Sequence, residues 1–482
     1  MPLSFDSRVS LPVRPHEAFA WHARPGAFDR LVPPWQAIEV IDRTDDIARG
    51  GLVDGSRLTF RMRRGPVALR WVAEHRSVDP GGPDRDTAQF RDVQIRGPFA
   101  HWDHLHRLEA EGDDGCVLHD QVAYAPPLGP LGRLADPLVV RPDLDRVFRY
   151  RRGVTRDDIT LHARYQDRPR LRVAVTGASG LLGRALCALL TTGGHEVIRL
   201  VRPRGGAAPP GADAARWDAR TGEIDADVLE GLDAVIALHG ANIAGGRWNE
   251  ARKRTLVDSR VATTEKLIAS LAALARPPRA FIGASAIGVY GAHRDDIWLG
   301  DDAEPRASSD FLADLAVRWE AAQQPASAFA RLVQLRFGVL LSPGGGALAK
   351  MLPPFQAGLG GPIGDGAQWL SWLSIDDAAA VVHHVLQHDD VDGTLNAVAP
   401  APIRQRDFAR TLGALLGRPA IAPLPTPAVR LLFGEMGEST VLASQRVRPD
   451  RLVEAGFTYR HADLPSALGH VLGLDPARAV RA

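Results

Sequence analysis

Lysine is nearly missing from this chain: Lys253, Lys266 and Lys350 are the only three in 482 residues. Chemistry that needs a lysine amine therefore has three positions to draw on. Cysteine is scarcer still. Cys116 and Cys187 each lie in an apolar-patterned segment, in stretches expected to belong to different domains, so a disulfide is not expected and a reducing compartment fits. Charge of one sign is not in excess: 58 basic residues face 57 acidic ones, which argues against a nucleic-acid or anionic-membrane partner. No run approaches eighteen apolar residues, so no spanning helix is expected. The opening Met1-Pro2-Leu3-Ser4-Phe5-Asp6 carries neither the basic nor the apolar part of a signal peptide. No internal repeat is visible. The expectation is a soluble cytoplasmic protein, too long for one core and divided into two or three domains.

What is present is concentrated in Thr176-Gly177-Ala178-Ser179-Gly180-Leu181-Leu182-Gly183. This stretch follows an apolar run, 171–175, and opens an apolar-periodic segment, 181–190. Strand, glycine turn and helix are the context in which G-x-x-G-x-x-G reads as a dinucleotide site. Gly177 permits the tight turn, Gly180 lets the backbone approach a pyrophosphate, and Gly183 lets helix and strand pack closely. The helix N-terminus offers N–H groups and a positive dipole end to the phosphates. Ala178, Ser179, Leu181 and Leu182 complete the expected cofactor contacts. The next strand, His195 through Arg202, lacks the terminal Asp or Glu that holds the ribose 2′-hydroxyl of NAD; Arg202 closes it instead. A guanidinium suits a 2′-phosphate, so NADP is expected in preference to NAD. The Gly/Pro/Ala-rich stretch 203–215 reads as a loop near the adenosine end.

Residues 1–168 read as strands separated by Gly/Pro/Asp breaks, with helical segments at 16–31 and 143–152. Arg168-Pro169-Arg170 forms a charged hinge. Beyond it strands (171–176, 195–201, 233–239, 279–285, 331–337) alternate with helices (249–274, 309–324, 376–387). That order gives a doubly wound parallel α/β sheet over 171–419. A Pro-broken tail, 420–482, carries helices at 427–433 and 463–472.

Several further segments sit in this frame: His239-Gly240-Ala241-Asn242-Ile243, Gly246-Arg247-Trp248, Asp258-Ser259-Arg260 and Ser285-Ala286-Ile287-Gly288-Val289-Tyr290-Gly291. Later come Leu335-Arg336-Phe337-Gly338, Met351-Leu352-Pro353-Pro354-Phe355, Gly360-Gly361-Pro362-Ile363-Gly364, Ile375-Asp376-Asp377 and Asn396-Ala397-Val398-Ala399-Pro400. With these, residues 171–475 resemble the extended short-chain dehydrogenase/reductase superfamily and, within it, the atypical "epimerase family". The resemblance implies a Rossmann-type domain, a small C-terminal domain around Glu454-Ala455-Gly456-Phe457, and cofactor contacts at His239 and Gly240. It also implies oxidoreductase or epimerase chemistry on a small molecule.

The catalytic pattern of that superfamily is absent. Its Tyr-x-x-x-Lys pair uses the lysine to lower the tyrosine pKa and hold the ribose. None of the five tyrosines here has a lysine four residues on. Aligning Glu320 with the acid that follows the motif puts Leu312 and Ala316 at the tyrosine and lysine positions. Ser285, ending its strand one residue from the superfamily's polarising hydroxyl, and Tyr290 are the candidate substitutes for proton transfer. Asp376 and Asp377 read as helix caps. Trp248 and Arg336 are candidates for lining a substrate cavity.

In the first zone, Gln94-Ile95-Arg96-Gly97-Pro98-Phe99 and Trp102-Asp103-His104-Leu105-His106, with Pro15-His16-Glu17-Ala18-Phe19 and Pro34-Trp35 earlier, resemble the START/polyketide-cyclase-like superfamily. That resemblance implies an α+β helix-grip domain with an apolar cavity for a hydrophobic ligand. His104 and His106 share a strand face, but H-x-H lacks a third ligand, so no metal is expected and a partly exposed face accounts for the pair. The charged run 151–156 reads as a solvated helix end. Two functions remain open at this stage: an NADP-dependent enzyme, and a non-catalytic protein that senses NADP(H) and binds a ligand.

Overall fold

The computed structural model describes residues 1–44, 51–202, 213–306 and 310–480. The chain divides into two compact units. Residues 1–169, joined by 188–194 and 470–474, make the first, and the remainder makes the second. No helix among the described residues is long and apolar enough to cross a membrane.

The first unit is built on one antiparallel sheet of strands β1 (Leu3–Leu11), β2 (Ala37–Arg43), β3 (Arg57–Arg64), β4 (Val67–Asp79), β5 (Thr87–Arg96), β6 (His101–Glu111) and β7 (Gly115–Ala125). Their order is β1-β7-β6-β5-β4-β3-β2. Between β1 and β2 the chain forms α1 (Pro15–Ala23) and α2 (Ala27–Leu31). The expected single helix over 16–31 is interrupted at Pro25-Gly26, where Gly26 takes φ +93°. A short helix, α3 (Gly129–Ala135), precedes α4 (Val140–Ala163).

α4 runs well past the expected 143–152. Its charged residues 151–156 are interior to the helix, and Val154, Thr155, Asp158 and Ile159 beyond or among them are buried. Alternate residues of the strands put Phe5, Val122 and Tyr124 against Leu144, Val147 and Phe148 of α4. Asp158, fully buried, takes a two-pronged ion pair from Arg30 of α2 at 2.6 and 2.8 Å. The core of this unit is thus pinned at one point by charge as well as by apolar packing.

The second unit carries a parallel sheet of β8 (Arg172–Thr176), β9 (Glu196–Val201), β10 (Ala214–Arg216), β11 (Ala234–Ala237), β12 (Ala280–Ala286), β13 (Arg331–Phe337) and β14 (Gly393–Ala397). The spatial order β10-β9-β8-β11-β12-β13-β14 reverses direction between β8 and β11. That is the doubly wound arrangement, with its ligand crevice outside the C-terminal ends of those two strands. α5 (Leu181–Thr192) follows the glycine turn. The expected helix 249–274 is two helices, α6 (Glu250–Asp258) and α7 (Val261–Ala272), with Ser259 and Arg260 between them. α8 (Phe311–Gln323) and α9 (Ile375–Gln387) follow. β10 and β14 were not expected from the sequence; both are short and lack the branched apolar run that marks their neighbours. Residues 420–469 belong to this second unit, where Ser444–Val447 pairs with His293–Leu299. Cys116 and Cys187 lie one in each unit, and no disulfide joins them.

Candidate functional site

β8 ends at Thr176, and Gly177 turns the chain at φ +66°. A Cβ on Gly177 would lie 2.6 Å from the Leu238 carbonyl oxygen, and one on Gly183 would lie 2.2 Å from the Gly177 carbonyl oxygen. Gly180 closes the turn by donating its N–H to that same oxygen at 2.8 Å. Gly177 and Gly183 are therefore required by backbone approach, and the turn is pressed against the segment that leaves β11. Ala178, Leu182 and Gly183 are buried beneath it and Leu181 is half-buried, while Ser179 and Gly180 are exposed at the start of α5. The N-terminus of a twelve-residue helix then stands at the crevice with exposed backbone.

The expected neighbours of the turn fall into place differently. His239 is buried, with Nδ1 2.9 Å from Thr176 Oγ1 and Nε2 3.0 Å from Thr264 Oγ1. Burial first, and Arg260 second, hold its imidazole down to about 3, so it stays neutral and ties the end of β8 to α7. Both ring nitrogens are thereby engaged. Gly240 is exposed, and a Cβ there would meet the Arg260 guanidinium at 2.9 Å. Arg260 has no carboxylate partner among the described residues. It donates to the carbonyls of Ala241 (3.0 Å) and Leu256 (3.4 Å) and stacks over Trp319. Burial and Arg252 lower it to about 10. The sequence marks Arg260 only as part of Asp258-Ser259-Arg260; the fold brings it beside Gly240.

Arg202 is exposed two residues beyond Leu200, the register partner of Thr176, at the same sheet edge as the glycine turn. No carboxylate pairs with it among the described residues. Of the expected adenosine-side loop, 203–212 lies outside the described residues, and 214–216 is strand β10.

Ser285 and Tyr290 do not stand open to a substrate. Ser285 donates to Glu320 Oε1 at 2.6 Å. Arg336 grips both oxygens of Glu320, at 2.8 and 2.9 Å, and donates to the Tyr290 hydroxyl at 2.9 Å. That hydroxyl lies 2.8 Å from Asn396 Oδ1 and 3.1 Å from the Gly300 carbonyl oxygen. Tyr290 has no exposed surface and Ser285 has 3 %. Burial pushes the phenol up, away from acid–base use near neutrality. Ser285, Arg336 and Asn396 are register partners on β12, β13 and β14, so the network clamps three strand ends to α8. The hydroxyls of Ser285 and Tyr290, the expected proton carriers, are both engaged in this network.

Arg336 likewise lines no substrate cavity, being buried in that clamp. Trp248 donates to the Ile243 carbonyl and packs edge-on to Phe311. Ser374, not an aspartate, caps α9. Asp377 is buried, accepts from the backbone N–H groups of Arg460 and His461, and is pushed up to about 6 by burial. Ala316, at the lysine position, is buried apolar surface.

A second polar cluster lies inside the first unit. His75, Asp92 and His104 are register partners on β4, β5 and β6, and His106 is opposite Asp120 on β7. Register partners share a face, so all five point towards α4. His104 and His106 are buried rather than partly exposed, and their rings stand 3.8 Å apart. His104 Nε2 meets Asp120 Oδ1 at 3.0 Å, and His106 Nε2 meets Asp92 Oδ2 at 3.2 Å. An enclosed space of about 10 Å³ adjoins them, lined by His22, His106, Asp120, Arg151, Arg152 and Thr155 among others. That holds about one water molecule. The apolar cavity expected here is filled by charged and aromatic side chains.

A glycine-turn dinucleotide crevice on a doubly wound sheet defines a nucleotide-binding α/β protein. The model of the NAD dependent epimerase/dehydratase family matches residues 173–397, and a domain of unknown function (DUF1731) matches 424–471. An epimerase family protein of Mycobacterium bovis, Mb2239, is 40% identical over 299 residues, covering 62% of this chain and 96% of its own length. The chain belongs to the NAD dependent epimerase/dehydratase family. Among solved structures, a nucleoside-diphosphate sugar epimerase from Corynebacterium glutamicum is 31% identical with a TM-score of 0.75. The alignment covers 98% of this chain and 90% of that one, so both units have a counterpart there. Human epimerase family protein SDR39U1 (isoform 2), solved with NADPH, is 36% identical with a TM-score of 0.57. It is covered over 99% of its length and 63% of this chain.

Proposed function

We propose that the second unit binds NADP(H) at the Gly177–Gly183 turn and acts as an oxidoreductase or epimerase-like enzyme on a small molecule. The observation that carries this is the packed glycine turn at the sheet's switch point, with Arg202 at the same edge and no acid in its place. The NADPH bound to the human relative supports the choice of nucleotide. When bound, the nicotinamide supplies hydride chemistry. Backbone N–H groups at the start of α5 would hold the pyrophosphate, Arg202 would hold the 2′-phosphate, and Arg260 would hold an anionic group entering beside Gly240. With Ser285 and Tyr290 locked, the proton passes through ordered water or the substrate itself.

The same locked hydroxyls favour a second reading, a non-catalytic NADP(H) sensor. Incubating the protein with NADPH and a panel of aldehydes, ketones and nucleotide sugars separates the two. Oxidation of NADPH or epimerised product supports the enzyme; tight NADPH binding with no turnover supports the sensor.

We read the first unit as a START/polyketide-cyclase-like domain, on the strength of its single antiparallel sheet, its two helices after β1 and its long last helix. A hydrophobic ligand would engage it at Leu128, Leu131, Leu134 and Leu138, each more than 70 % exposed, because the space under α4 is too small. A cytoplasmic location, suited to a chain whose two cysteines form no disulfide, belongs to the same proposal.

A further inference from the structure

We propose that Asp92, His104 and His106 form a structural site for a divalent metal ion of the zinc class in the first unit, apart from the dinucleotide crevice. One ligand atom from each lies within 4.8 Å of the other two. Tetrahedral ligands at zinc distance, about 2.0–2.1 Å, stand about 3.4 Å apart, so side-chain adjustments that close the separations by up to about 1.4 Å bring the three onto one centre. The strand register makes this set: H-x-H on β6 supplies two imidazoles on one face, and β5 supplies the carboxylate opposite His104.

The surroundings of the three residues suit a cation. Asp92 Oδ1 and His106 Nδ1 are buried and have no aligned hydrogen-bond partner. Yet His75 Nε2 stands 3.0 Å from the first and Asp120 Oδ1 stands 2.9 Å from the second. Coordination to a shared ion would engage these buried atoms directly. Asp120 sits against both imidazoles, and His75 is itself held by Ser56 at 3.0 Å, the supporting contacts that orient metal ligands.

Two imidazoles with a carboxylate select zinc-class ions over magnesium or calcium, which take oxygen ligands. The adjoining space of about 10 Å³ is lined by His106 and not by Asp92 or His104, and it is too small for a substrate, so we assign the ion a structural role. Asp92 keeps 28 % of its side chain exposed, which gives the ion a way in.

The test strips the full-length chain with a chelator, reloads it with Zn²⁺ or Co²⁺, removes loose metal and measures metal per chain. We expect one equivalent, a visible Co²⁺ spectrum of four-coordinate type, and a melting temperature raised by Zn²⁺. Asp92→Asn and His104→Gln should each weaken binding at least about tenfold, and Asp120→Asn by about 10–100-fold. Should the histidine variant fail to fold, Asp92→Asn, at the half-exposed ligand, carries the decision. No retained metal, or equal retention by the variants with unchanged circular dichroism, overturns the proposal in favour of a metal-free His/Asp network.

Discussion

His239 shows how one buried side chain sets a pH dependence. In the unfolded chain its imidazole takes a proton near its ordinary value of 6.5; folded, it resists until about 3. Below pH 6.5 the unfolded state therefore binds more protons, and stability falls as pH falls, by about 1.4 kcal/mol per unit at most, levelling off near 3. In His239→Gln, which can keep contacts to Thr176 and Thr264, the slope of stability against pH between 6 and 4 should shrink by one proton. An unchanged slope in urea titrations would show that His239 is charged in the fold.

Tyr290 gives a second prediction at this scale. Tyr290→Phe leaves a buried Arg336 donor and Asn396 oxygen short of a partner, at a cost of about 1–3 kcal/mol. Its melting temperature should fall while NADPH affinity holds. A loss of turnover with undiminished stability would instead restore Tyr290 to the chemistry. The residue types at Ser285 and Tyr290 were legible in the sequence, and so was their strand end. Their partners were not, because Glu320, Arg336 and Asn396 meet them only through the register of three parallel strands.

Elements were legible where hydrophobic period and flanking breakers agreed. β8 and β13 stand within a residue of the expected bounds, and α5 starts where expected and ends two residues later, at Thr192. Misreadings followed from charge placed where apolar residues usually mark burial. α4 was read as ending near 152 because arginines crowd 151–156, yet the helix continues to Ala163 with Asp158 buried against Arg30. Asp158→Ala should destabilise the first unit by about 3–5 kcal/mol, since it strands a buried guanidinium. Asp158→Ala combined with Arg30→Met should recover much of that loss. Chemical denaturation checks both, and an additive double variant would mean the pair is not coupled. The His/Asp cluster was half legible: H-x-H lies open in the sequence, while Asp92 and Asp120 join it only through antiparallel pairing.

At the scale of the whole molecule, the sequence separated an antiparallel first part from a parallel second part because side-chain period and breaker spacing change at Arg168-Pro169-Arg170. Both parts find counterparts in the Corynebacterium glutamicum structure. What the chain does turns on whether its crevice takes a dinucleotide in the absence of the superfamily's Tyr/Lys pair. The most direct measurement is calorimetric titration of the full-length protein with NADPH and NADH, beside Arg202→Ala and Gly183→Ala. The account predicts tight NADPH binding and weaker NADH binding. It predicts selective loss of NADPH affinity in Arg202→Ala and loss of both in Gly183→Ala, whose Cβ has no room beside Gly177. Absence of binding to either nucleotide, or equal affinity for both that Arg202→Ala leaves unchanged, would contradict it.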